Sequence, residues 1–285
     1  MDFWIVHLLN GISFSMILFL MAVGLSLIFG LMRILNLAHG AFYLLGIYIA
    51  LTIKLLTNSF LFAVISGTFA MGILGFVFYY FLLQPFAAHA RSQLLLTLAF
   101  MFIFGDLALW IWGGEPRLLP KPWPFEVSLA IGFMSFPSYR LLIIVMGVII
   151  AIALFLFLER SKVGALIRAG VDDAEMARGC GIKVPLLFLG VFSLGTALSG
   201  LGAAIAGPII GAYPGLELEI LLFALAVLLI GGLGTLKGAF VGSLFVGIAD
   251  NFGKVLIPEL ALFIIFGSVA VVLAFKPSGL FGKTF

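Results

Sequence analysis

Apolar runs of about 20 residues follow one another along the whole chain, and that repetition sets the fold class before any motif is read. A helix needs about 20 apolar residues to cross a hydrocarbon core about 30 Å thick. A β-barrel would show short segments of alternating hydrophobicity instead, and none occur here. With 64% hydrophobic residues, 9% charged residues and a mean hydropathy of +1.32, the chain lies far from soluble proteins. It reads as an all-α integral membrane protein, a polytopic helical bundle of about eight or nine transmembrane helices. Residues 1–285 form one membrane domain, with no room for a sizeable soluble one.

Hydropathy places spans near 4–32, 39–57, 60–84, 94–113, 140–158, 186–208, 219–236, 238–254 and 260–276. A count of eight follows if 219–254 holds a re-entrant or broken element. Nine passes put the N-terminus outside and the C-terminus inside. The basic residues agree: Arg33, Arg91, Arg160, Lys162, Arg168, Arg178, Lys183, Lys237, Lys276 and Lys283 fall inside, against Lys54, Arg117, Lys121, Arg140 and Lys254 outside. That is the bias expected of a multi-pass protein of the cell (inner) membrane. It also gives a plainer reading of the +3 net charge than nucleic-acid binding does. The N-terminus has no positive n-region or small-residue cleavage site, so it reads as the first span.

One segment breaks the apolar pattern. Residues 159–185 carry Glu159, Arg160, Lys162, Arg168, Asp172, Asp173, Glu175, Arg178 and Lys183, about a third of all the charges in the chain. Charges at a bilayer centre are costly, so this island lies outside the membrane, on the cytoplasmic side. Val163, Leu166 and Ile167 stand at i, i+3 and i+4 and give one apolar stripe. Gly170 is placed to stop that turn, Asp172 or Asp173 to cap a second short helix, and Glu175 to favour its first turn. Gly179 and Gly181 then end it, and Pro185 opens the next span. Two short amphipathic helices at the cytoplasmic face make a docking surface. Arg160, Val163, Leu166, Arg168, Asp172, Asp173, Glu175, Arg178 and Gly181 are its candidate residues; a solvated loop without a partner is the alternative.

Polar residues inside the spans are few. Asn36, His39 and Gly40 sit in Arg33-Ile-Leu-Asn-Leu-Ala-His-Gly, between the first two runs, where Asn36 can cap the following helix and Gly40 permits a close approach. Asp106 and Asp250 are candidate intramembrane acids, functional by default or bonded to a neighbouring helix. Glycines recur at four-residue spacing, as in Gly234, Gly238 and Gly242, a pattern that allows close helix packing or a break where backbone lines a cavity. Gly232 and Gly234 therefore join the pathway candidates. The run 231–238 does not fit a phosphate-binding loop, and Gly282-Lys283-Thr284 lacks the first glycine of one. A lone His39 is a poor metal site, and Cys180 is the single cysteine. No catalytic serine, zinc motif or carboxylate pair marks an enzyme. The loop 114–139, with five prolines, is an external inter-helix loop or a partner contact.

Residues 22–49, AVGLSLIFGLMRILNLAHGAFYLLGIYI, resemble the N-terminal signature of LivH-type branched-chain amino-acid permeases, the membrane subunits of ATP-binding-cassette importers. Asn36–Gly40, N-L-A-H-G, resembles the LivH branch more than its LivM partner. Leu94–Arg117, 159–183, Gly231–Gly247 and the tail Lys276–Gly282 agree as well. The resemblance implies ABC ATPase subunits holding ATP and Mg, a LivM-like second permease and an external solute-binding protein, with no cofactor in this chain. It gives 159–185 the role of coupling segment. It also implies a small-molecule solute: a branched-chain amino acid, an amide, urea or an aromatic acid. The rivals are a stand-alone channel or secondary transporter, which needs its own ion site, and a membrane enzyme, which needs clustered His or carboxylates. Neither requires the docking island.

Overall fold

The computed structural model describes residues 2–87, 89–131 and 134–282; Lys283 and Thr284 lie outside them. Helix α1 (Asp2–Met32) is apolar on every side and runs through the centre, with 78% of its core window buried. A helix without a polar face has to be enclosed by protein or lipid, and here α8 (Val184–Ile210), α10 (Leu236–Leu256) and α5 (Ser138–Arg160) enclose it. α2 (His39–Thr57) and α3 (Phe60–Phe78) pack against α8. α3 continues through a π turn at Tyr79–Leu83 and a 3₁₀ turn at Gln84–Phe86. α4 (Ala90–Trp112) leans mainly on α2, and Gln93 donates from Nε2 to the Leu83 carbonyl freed by that break, at 2.9 Å. The windows of α3, α4 and α5 are only 22%, 22% and 17% buried, which marks them as the rim of the bundle.

Small residues allow the central contacts. A Cβ at Gly24 would lie 2.3 Å from the Gly195 carbonyl oxygen, so α1 and α8 meet at backbone distance. Dispersion and close approach hold such helices together in lipid, where the hydrophobic effect between helices is missing.

Among the described residues, seven helices are long and apolar enough to cross a membrane. The two remaining expected spans are helical but short. α9 (Leu216–Gly231) has 16 residues and α11 (Ala261–Phe275) has 15, about 24 and 22 Å of rise. The expected external loop holds a small antiparallel pair, β1 (Ser128–Ile131) with β2 (Met134–Pro137). Between α5 and α8 come α6 (Lys162–Asp172) and α7 (Ala174–Gly179), the two short helices expected of the island. One expectation fails in detail: Gly170 does not stop α6, which continues to Asp172. Gly170 is buried, and its missing side chain makes room for Leu31 and Leu187.

Candidate functional site

The island is clamped onto the bundle. Ser161 caps α6 by accepting from Gly164 N at 2.9 Å, and Asp173 Oδ1 caps α7 by accepting from Glu175 N and Met176 N, each at 2.9 Å. α7 ends at Gly179, Gly181 turns the chain at φ +83°, and Pro185 lies in the first turn of α8. Ile167 is buried in a cluster with Leu31 of α1, Leu158 of α5 and Val191 of α8. The opposite side carries exposed Met176, Arg178 and Glu175. Arg168 approaches Glu159 at 4.0 Å with both side chains half exposed, a pair of little energetic weight. Val163 and Leu166 are half exposed and face a groove beside α8.

The second site lies at the middle of the bundle. His39 Nε2 is 2.9 Å from the carbonyl of Met21, and Ser199 Oγ donates to the His39 carbonyl at 3.3 Å. Met21 and Ser199 fall near the midpoints of α1 and α8, so α2 begins at mid-depth. Met32 lies about 16 Å below Met21 along α1. The six residues 33–38 span at most about 20 Å when extended, enough to climb back to that level. Leu37 N donates to Thr97 Oγ1 on α4 at 3.2 Å during this climb. Non-helical backbone at membrane depth survives only when it is buried in protein or lines a wet cavity. Asn36 is buried, and among the described residues both polar atoms of its amide lack a partner, as does His39 Nδ1. The expected side-chain cap by Asn36 is not made: the cap position is Ala38, with no side-chain bond.

α9 returns to the same place from the other side. After α8 ends at Ile210, residues 211–215 run back beside the proline-rich loop, where Arg117 and Ala212 exchange backbone bonds of 2.9 and 2.8 Å. A Cβ on Gly40 would lie 1.9 Å from the Glu217 carbonyl oxygen, so the first turns of α2 and α9 touch. Glu217 Oε2 accepts from Gly215 N at 3.1 Å, and its Oε1 lies against Gly105 of α4, next to exposed Asp106. Glu219 is exposed and accepts from the Tyr213 hydroxyl at 2.7 Å.

Asn36, His39 and Gly40 are thus brought together, with Asp106 one residue along α4 from the Gly105 contact. Hydropathy had missed Glu217 and Glu219, because the span was opened at 219. The signals were a glycine followed by two acids, and an apolar run too short to cross a bilayer.

The other candidates lie elsewhere. Gly232 and Gly234, at φ +106° and +77°, form the tight α9–α10 turn, packed on Gly30 and the tail residue Gly282. Leu280 N and Phe281 N donate to the carbonyls of Ile230 and Gly231, both at 2.8 Å, which locks the tail to that turn. Asp250 is buried on α10 and accepts from Lys254 Nζ at 2.8 Å. Among the described residues no three His, Cys, Asp or Glu side chains gather as metal ligands.

The Asp250–Lys254 pair is asymmetric, since the lysine side chain is 58% exposed and the aspartate 5%. Lys254→Met strands a buried charge and is expected to cost about 3 kcal/mol of stability. Asp250→Asn leaves a lysine free to reach water and is expected to cost much less. Thermal melts of the two purified variants check this order.

Long apolar helices, a clamped surface island and an apolar rim define an all-α, multi-pass membrane protein. The model of the family described as branched-chain amino acid transport system, permease component, matches residues 7–273, and the chain belongs to that family. It is 29% identical to the high-affinity branched-chain amino acid transport system permease protein BraD of Pseudomonas aeruginosa, over 97% of this chain and 95% of that protein. It is 24% identical to LivH of Escherichia coli K12, over 99% and 96%. A probable LivH permease of Methanocaldococcus jannaschii is 25% identical over 85% and 78%. No solved structure matches. The chain is a permease subunit of an ATP-driven ABC importer.

Proposed function

We propose that the solute passes between the first turns of α2 and α9 and the Gly105–Asp106 face of α4. Access at this junction is set by the docked island. One observation carries the reading: α1 touches both places. Its Leu31 packs on Ile167 of α6. Ten residues away its Met21 carbonyl holds His39, about 15 Å along one helix. A rigid helix joining a surface dock to a mid-membrane junction is a lever.

In this account ABC ATPase subunits, carrying ATP and Mg, grip Met176, Arg178 and Glu175 from the cytoplasm. A LivM-like permease covers the exposed face of α4, where Asp106 would otherwise meet lipid. An external solute-binding protein delivers the solute over the proline-rich loop. The chain sits in the inner membrane with its N-terminus outside, and acts as a single permease domain. Branched-chain amino acids are the favoured solutes, with amides, urea and aromatic acids as related cargo. The exposed carboxylates of Asp106 and Glu219 suit a solute that carries a positive charge, as an amino acid does, better than an anion. A stand-alone channel or secondary transporter would have no use for the docked island at 159–185.

The unpartnered Asn36 amide tests this directly. A buried polar side chain without partners costs about 1–3 kcal/mol, so this conformation bears a penalty that another state or the solute relieves. Asn36→Leu is expected to raise the melting temperature while lowering uptake in proteoliposomes. Unchanged uptake would return Asn36 to a purely structural role.

A further inference from the structure

At the cytoplasmic edge a groove of about 690 Å³ opens between the inner ends of α5 and α8, roofed by α6. Leu186, Gly190 and Leu194 stand at i, i+4 and i+8 on α8 and form its floor, with Phe157 of α5 as the wall. This stripe extends about 12 Å into the apolar part of α8, so the groove opens into hydrocarbon rather than cytoplasm. At Gly190 no atom of the described residues lies within 4 Å of where a Cβ would stand. At the mouth stands Lys183, exposed and lining the groove, and Lys162 lies one residue before the lining residue Val163. Neither lysine, nor Arg160, has an ion-pair partner among the described residues.

An apolar slot that ends in unpaired cations at the bilayer surface has the chemistry of one occupant. We infer that an anionic glycerophospholipid sits here, one acyl chain along Leu186–Leu194 and its phosphate at Lys183. A soluble peptide would not enter from the lipid side, and a zwitterionic lipid would leave the lysines unmatched. Val163 and Leu166 of α6 also line the groove, so the bound lipid props the docking helix from beneath.

The test is native mass spectrometry of the full-length chain, titrated with phosphatidylglycerol and with phosphatidylcholine of identical acyl chains. Each Lys or Arg near an anionic headgroup contributes about fivefold in affinity. Phosphatidylglycerol is therefore expected to bind more tightly by about fivefold or more. Lys183→Ala, a surface change, should reduce that preference by about fivefold, and Gly190→Trp, which fills the slot, should displace both lipids. Equal binding of the two lipids, or undiminished phosphatidylglycerol binding to Gly190→Trp, would overturn the assignment. Neither readout involves an ATPase or a solute, so it stands or falls separately from the importer reading.

Discussion

Gly40→Ala is expected to bring uptake down by more than about tenfold, the effect of a backbone collision of over 1.4 kcal/mol. The new Cβ would stand 1.9 Å from the Glu217 carbonyl oxygen, where only separation of α2 from α9 can relieve it. That carbonyl belongs to the first turn of α9, so no side-chain rotation provides an escape. Substrate-dependent uptake in proteoliposomes, normalised to the amount of inserted protein, gives the readout. Gly267→Ala serves as the control, because no atom of the described residues lies within 4 Å of a Cβ there. Wild-type uptake by the Gly40 variant would mean that the α2–α9 contact is not part of the pathway.

The second large effect is expected at the dock. Proline at Ala177 removes the bond from Ala177 N to the Asp173 carbonyl, 3.0 Å long, and its ring collides with that same carbonyl. The cost of about 3 kcal/mol falls on a helix of six residues, which has no second turn to share it. α8 begins independently at Val184, so membrane insertion should survive while uptake is lost. Arg168→Glu makes the complementary case. Its half-exposed pair with Glu159 is worth about 1 kcal/mol or less, so stability should barely move, yet the charge offered to the ATPase is reversed. Solute-stimulated ATP hydrolysis in the reconstituted complex is expected to fall severalfold for Arg168→Glu and to vanish for Ala177→Pro. Normal stimulation in both would remove 159–185 from the coupling role.

Much of this arrangement is legible in the residues, for physical reasons. Hydrocarbon excludes charge, so the spans and the island at 159–185 stand out directly. Capping is local chemistry, so Asp173 before α7 and Pro185 at the start of α8 could be read from a few neighbouring residues. Depth is a different matter. The stretch 33–38 and the return at 211–215 look like ordinary inter-helix turns, because hydropathy records what a residue tolerates rather than how far the chain has climbed. Their placement depends on partners far away in sequence, with His39 on Met21, Leu37 on Thr97 and Gly40 on Glu217. Gly170 misleads for a similar reason: a glycine that looks like a helix stop is needed for its small size against Leu31 and Leu187. Asp250 reads from the sequence as a candidate pathway acid, and its pairing with Lys254, one helical turn on, is local chemistry of the same kind.

The central claim is that the outer face of the island at 159–185 is an ATPase dock. The most direct measurement places a photo-crosslinking amino acid at Met176, exposed on α7, in the native membrane. The adducts are then identified by mass spectrometry. The account predicts a covalent adduct with an ABC ATPase subunit whose yield changes when nucleotide is added. Adducts with lipid alone, in membranes where uptake is active, would contradict it.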